Sequence, residues 1–304
     1  MPADQFAPGI YFGLAEDAYR ADPALGSTDM KRLAQSPPDY WFGSVHNPLR
    51  ESREPTPGQK FGTAIHKFVL EGRDAFEARY APTEFKGNTK EGKAELAAIE
   101  ADGKIALPRK DWDRIKLSGT MVRANPEIST AFTGGYSEVS VFWERDGIRR
   151  KSRFDYLKTR ALVDLKSDAN RNQQEFVTAC RNSIGRYRYD IQAAHYCEGR
   201  AQLRAFVSDG AVFGDHDYDW LFAAAVQDAW AFVWIFYQSE GAPLTWGTTL
   251  SPGNGLFDYA SASIAKAEEN FRTFRDRFGF DQPWVLAEPL AEIDVNDLPA
   301  WSFK

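Results

Sequence analysis

The hydrophobic pattern changes period twice along this chain, and those changes divide it. Residues 1–60 hold no sustained period: Pro and Gly punctuate them, and they predict only short helical pieces such as STDMKRLAQS, where Ser27 or Thr28 can cap. Over FGTAIHKFVLEG, residues 61–72, Phe61, Ile65, Phe68 and Val69 recur at helical spacing and Gly72 supplies the stop. TKEGKAELAAIEADG and PRKDWDRIKLSGTMVRAN read as two further helices.

Residues 136–167 switch to strand character and predict three successive strands, turning at Arg145-Asp146-Gly147 and again at Lys158-Thr159-Arg160. The Asp-Gly pair is the strongest hairpin signal among them. From 172 to about 209 the helical pattern returns, broken at Gly185. WLFAAAVQDAWAFVWIFY, residues 220–237, reads as two strands around a short turn, and ASIAKAEENFRTFRDRF as a last helix. Helices, then a meander, then a helix leading into further strands predict an α/β or α+β sheet with helices packed on it. Residues 1–60 are expected as an N-terminal extension on a core formed by 61–304, the whole a single globular unit.

Composition leaves that picture standing. At 304 residues, 43% hydrophobic and 26% charged, the chain can bury a sizeable core. No apolar run approaches the roughly 20 residues of a membrane helix, and MPADQFAPGIYFG lacks the basic-then-apolar layout of a signal peptide, so a cytoplasmic location and no membrane partner are expected. Cys180 and Cys197 are too few for a disulfide scaffold, a Cys-based zinc site or an iron–sulfur cluster, and read as small core residues. The four histidines show no zinc-protease spacing. A metal here would rest mainly on oxygen ligands.

Charge narrows the partners. A net charge of −6 argues against a surface coated by nucleic acid, yet leaves room for a local basic channel. Arg149, Lys151 and Arg153 stand at period 2 in GIRRKSRF, and Arg181, Arg186 and Arg188 cluster 30 residues later. As a channel these would contact DNA; a solvated charged face is the plainer alternative.

The chemistry gathers at ALVDLKS, residues 161–167. On a strand, Asp164 and Lys166 share one face and Val163 and Leu165 the other. The tight turn folds Asp155 back toward Asp164, and two converging carboxylates repel unless a cation lies between them. Mg²⁺ suits such a pair, with the Leu165 carbonyl as a further ligand and Lys166 beside the metal-bound water. Gln192 and Tyr196, four apart in YDIQAAHY, share one face of the helix that follows. On its own a D-x-K pair reads first as a structural ion pair; the second acid and the polar helix face change that reading.

In order, GTAIH, RFDYL, VDLKS and DIQAAHY resemble the motifs of the PD-(D/E)XK nuclease superfamily, in its RecB-like branch, and most of all the C-terminal nuclease domain of the exodeoxyribonuclease VIII (RecE) family of prophages. The opening segment resembles that family's as well. The resemblance implies a restriction-endonuclease-like core with a central mixed sheet. It implies His66, Asp155 and Asp164 at the metal, Lys166 as catalytic lysine, and Gln192 and Tyr196 positioning substrate or catalytic groups. Glu138, on the first strand of the meander, is a possible secondary member. The implied activity is a Mg²⁺-dependent exonuclease, with Mn²⁺ able to substitute, digesting linear double-stranded DNA ends 5′ to 3′ to leave 3′ overhangs for phage-type recombination. A homo-oligomeric ring and a single-strand annealing (RecT-like) partner are implied with it. An endonuclease of the same superfamily, or a non-cleaving DNA- or protein-binding member, are the alternatives.

Overall fold

The computed structural model describes residues 6–50, 55–85 and 87–303. Residues 1–5 and 51–54 of the expected N-terminal extension lie outside these. The rest of that segment lends a strand to the main sheet: β1 (Gly9–Tyr11) pairs antiparallel with β4 (Tyr136–Arg145), Ile10 opposite Val141. Three helices follow, α1 (Glu16–Ala21), α2 (Ser27–Gln35) and α3 (Pro37–Gly43). The start of α2 is capped differently from the expectation at Ser27 or Thr28: Asp29 reaches back and accepts the Gly26 amide at 2.9 Å.

α4 (Pro57–His66) carries the expected helical face, with Ala64 and Ile65 buried. It continues as one wide π-turn, Lys67–Glu71, before Gly72 ends it at φ 96. α5 (Arg73–Arg79), β2 (Tyr80–Thr83), α6 (Lys90–Ala101), β3 (Ile105–Pro108) and α7 (Arg109–Ala124) complete this half, β2 and β3 forming a small parallel pair.

The meander forms as its pattern predicts: β4 (Tyr136–Arg145), β5 (Ile148–Lys158) and β6 (Ala161–Asp168). Asp146 and Gly147, at φ 52 and 72, both adopt the left-handed conformation that a two-residue hairpin turn demands, and Arg145 faces Ile148 across it. α8 (Phe176–Arg186), α9 (Tyr189–Ala201), α10 (Leu203–Ser208), the short strand β7 (Val212–Phe213) and α11 (Tyr218–Ala225) carry the chain to β8 (Ala231–Gln238), which lies parallel to β6. β9 (Thr245–Leu250) and α12 (Gly255–Phe278) follow. Among the described residues the main sheet has seven strands in the order β7-β1-β4-β5-β6-β8-β9, and it is mixed.

Two predicted elements differ. The stretch 220–237 is helix then strand: Asp217 caps α11 by accepting the Trp220 amide at 3.0 Å, and an Ala-rich segment takes the helix it intrinsically favours. Gly185 stays inside α8, and the chain breaks instead at Arg188, held at φ 50 by its two hydrogen bonds to Asp190.

β6 divides two cores. Val163 and Leu165 join Ile235 and Tyr237 beneath α4, α5 and α7. Leu162 joins Phe232, Trp234 and Phe236 beneath α8, α9 and α11, where Cys180 and Cys197 also pack. Each large side chain fully buried there stabilises the fold by about 1.5–3 kcal/mol. α9 approaches the sheet closely at Gly199, where a Cβ atom would fall 2.7 Å from Ser152 Oγ and 2.9 Å from Trp143 Cζ3. A third core joins α2, α3 and α12 through Met30, Leu33, Tyr40, Ile264 and Phe271, with Ile191 of α9. Among the described residues no helix is long and apolar enough to cross a membrane.

Candidate metal and nucleic-acid site

The strand register puts the acids together. β5 and β6 pair Tyr156 with Val163, which sets Asp155 across from Asp164 one step further on. There the ladder gives way to a side chain: the Leu165 amide donates to Asp155 Oδ2 at 2.8 Å. The N–H and C=O of one strand residue point the same way, so the Leu165 carbonyl opens toward the same gap.

Alternation also slips at this point. Phe154 and Leu157, three apart, belong to one core, while Tyr156 belongs to the other. On β4 the partner position is Glu138, at φ 54, and it is skipped in the ladder between Ser137–Tyr156 and Val139–Phe154. A non-glycine residue in that conformation costs about 1–3 kcal/mol, which the surrounding structure must offset. The outcome is a cluster: the ligand atoms of His66, Glu138 and Asp155 lie within 4.8 Å of one another. His66, from the last turn of α4, approaches from the side, with Nδ1 3.7 Å from Asp155 Oδ2. One imidazole and two carboxylates converging in this way form a donor set of the kind that divalent metals take. Glu138, a secondary candidate in the sequence, stands within this cluster.

Asp164 lies beside this cluster, its charge acting on Asp155. It is buried, and Gln192 Nε2 donates to its Oδ1 at 2.7 Å while Lys166 Nζ lies 2.5 Å from its Oδ2. Asp164 Oδ2 is buried and makes no hydrogen bond, its close neighbour being that ammonium, so the carboxylate expected at the metal keeps an orphaned acceptor beside Asp155. Tyr196, a turn further along α9, hydrogen-bonds Gln192, and burial first, then nearby charges including Asp155 and Asp164, holds its hydroxyl well above the usual tyrosine range. Burial, then the Asp164 charge, push the Asp155 carboxyl up to about 7, with His66 and Lys166 pulling it back. Burial opposes the charged form of Lys166, but Asp164 and Asp155 outweigh it and raise its pKa. Proton and cation affinity are thus both built into one corner of the sheet.

The expected basic channel on β5 is a correction. Arg149 bonds Asp22 and the Phe6 carbonyl; Arg153 bonds Glu138 and the Leu14 carbonyl. Lys151 is buried, its ammonium donating to the Tyr19 and Asp22 carbonyls at 2.8 and 2.5 Å. The period that sets the three side by side points them at the N-terminal segment, which spends their donors. Arg150, on the other face, pairs with Glu198 and Glu268. Arg188 is paired with Asp190 and stacks on Tyr259; Arg186 is exposed and free of ion pairs among the described residues.

Lys31 was not legible as a site residue. It reaches the site from α2, with Nζ 5.2 Å from the Tyr189 ring centroid, and Lys166 Nζ is 4.8 Å from the same ring. Its place there depends on how α2 packs against α9, which local sequence does not announce.

No curated protein matches the chain. A crystal structure described as a "Putative exonuclease" from Eubacterium rectale is similar in fold, with a TM-score of 0.53 at 16% identity, over 95% of this chain and 99% of that one. Residues 27–225 match the family model of the PDDEXK-like domain of unknown function (DUF3799), a span that holds His66, Glu138, Asp155, Asp164, Lys166, Gln192 and Tyr196. With that match over most of its length and the sheet to go with it, the chain belongs to the DUF3799 family of PDDEXK-like domains.

Proposed function

We propose that this protein is a divalent-metal-dependent nuclease that hydrolyses phosphodiester bonds of DNA. The observation that carries the reading is the convergence of His66, Glu138 and Asp155 beside the Asp164–Lys166 pair. The three ligands, with Asp164 and the Leu165 carbonyl beside them, would hold Mg²⁺ or Mn²⁺. A cation bound there would polarise a phosphate oxygen and acidify water. The chain's own residues supply the rest. Lys166 places a fixed positive charge where negative charge develops on the phosphate, and Asp164 and Gln192 hold that ammonium in place. Tyr196 fixes Gln192 in turn.

Within that class the reading is an exonuclease at linear duplex ends, working 5′ to 3′ to leave 3′ overhangs for phage-type recombination, as a homo-oligomeric ring in the cytoplasm beside a RecT-like annealing protein. What supports these finer points is the motif resemblance. The test is 5′- and 3′-labelled linear duplex, together with a covalently closed circle, in Mg²⁺, with EDTA and Asp155→Asn as controls. Linear duplex should be degraded and the circle left intact. Cutting of the circle makes the protein an endonuclease, and degradation that survives Asp155→Asn removes the proposed centre.

A further inference from the structure

Helix α2 turns Met30 and Leu33 into the core it shares with α9 and α12. Lys31, between them, is half-buried and leans over Tyr189 at the start of α9. The same ring carries Lys166, so two ammonium groups share one aromatic floor. The acids nearest to Lys31 are already engaged, Asp164 by Lys166 and Asp190 by Arg188. Among the described residues Lys31 makes no ion pair and no hydrogen bond, only the contact with the ring. Burial first, then the Lys166 charge, push its ammonium down to about 8.

A half-buried cation beside a second cation, without an acid of its own, calls for an anion from outside. Lys166 connects Lys31 to the acids: its ammonium pairs with Asp164 and lies over the same Tyr189 ring as Lys31, while His66, Glu138 and Asp155 gather beside that pair. A strand whose cleaved phosphate rests against Lys166 would bring a neighbouring phosphate to Lys31 across that ring.

We propose that Lys31 is a substrate-binding residue, holding a non-bridging oxygen of the nucleic-acid phosphate adjacent to the cleaved one, with Tyr189 as the surface that aims it. This deepens the nuclease reading and rests on it. The competing role is packing alone, since an ammonium over an aromatic ring is itself stabilising.

Salt dependence separates the two. Duplex affinity is measured against salt concentration in Ca²⁺, so that binding is read without cleavage, for wild type, Lys31→Gln and Lys31→Arg, with thermal melting of each. A lost phosphate contact lowers the slope of log affinity against log salt by about 0.9 to 1 in Lys31→Gln, while Lys31→Arg keeps it. Cleavage by Lys31→Gln in Mg²⁺ should fall roughly ten- to a hundredfold. An unchanged slope in Lys31→Gln, whether or not the melting temperature drops, overturns the assignment. Wild type that binds duplex and never cuts it removes the hydrolytic reading alone, and the slope still decides Lys31. Wild type that binds no duplex removes both.

Discussion

Gln192 and Asp164 are joined at 2.7 Å across the boundary between α9 and the sheet, and this one bond ties helix to strand at the reactive corner. Because Lys166 takes the other oxygen, the carboxylate is held from two directions. Gln192→Leu leaves a buried acceptor short of a donor, and should cost about 1–3 kcal/mol of stability in urea unfolding. Cleavage should fall further than stability, because Lys166 loses its fixed support. Wild-type rates in Gln192→Leu would show that α9 does not govern the centre.

Asp155 gives the protein a pH dependence with a definite sign. Its carboxyl is pushed up to about 7 in the fold, against an ordinary value of 3.8. Between about pH 4 and 7 the folded state therefore binds more protons than the unfolded chain, so the metal-free protein loses stability as pH rises through that window. Metal needs the deprotonated form, and its affinity should weaken below pH 7 by up to about tenfold per unit. Calorimetric titration of Mn²⁺ at pH 5.5 and 8 reads this directly. An affinity that ignores pH would take Asp155 out of the ligand set.

Glu138 combines a strained backbone with a ligand position, and two substitutions separate these. Glu138→Gly and Glu138→Ala both remove the carboxylate and the contact with Arg153, so both should bind metal poorly and cut poorly. At φ 54 the glycine variant escapes a steric cost that alanine pays, and should be the more stable by about 1 kcal/mol. Equal melting temperatures would mean that the backbone relaxes on substitution.

Lys151 should prove structural. Lys151→Met strands two carbonyls in a buried place, and a loss of about 2–4 kcal/mol is expected in chemical unfolding. The salt slope of duplex binding should stay at its wild-type value. A slope lowered by about one would restore Lys151 to the DNA surface.

Much of this was legible in the sequence for reasons that are local. Asp146-Gly147 announces its turn because few residues tolerate that backbone, and period-2 placement of Asp164 and Lys166 follows from strand geometry alone. α11 is not announced by its pattern because a short, wholly apolar run fits strand and buried helix equally; the cap at Asp217 and the alanines are the signals that favour helix. Glu138 and Lys31 needed tertiary knowledge. One depends on a slip shared by two paired strands, the other on a helix 135 residues upstream of its neighbour Lys166. The basic stretch misleads because spacing shows which side chains lie together and says nothing of what covers them.

Gly199 sits seven residues after Gln192, about 10 Å along the helix axis. The absent methyl group acts as a spacer setting: it decides how near the whole rod may lie to the strands. Fill that gap and the rod must lift, drawing the amide of Gln192 away from its carboxylate, so hydrolysis can fail through a position that meets neither cation nor nucleotide.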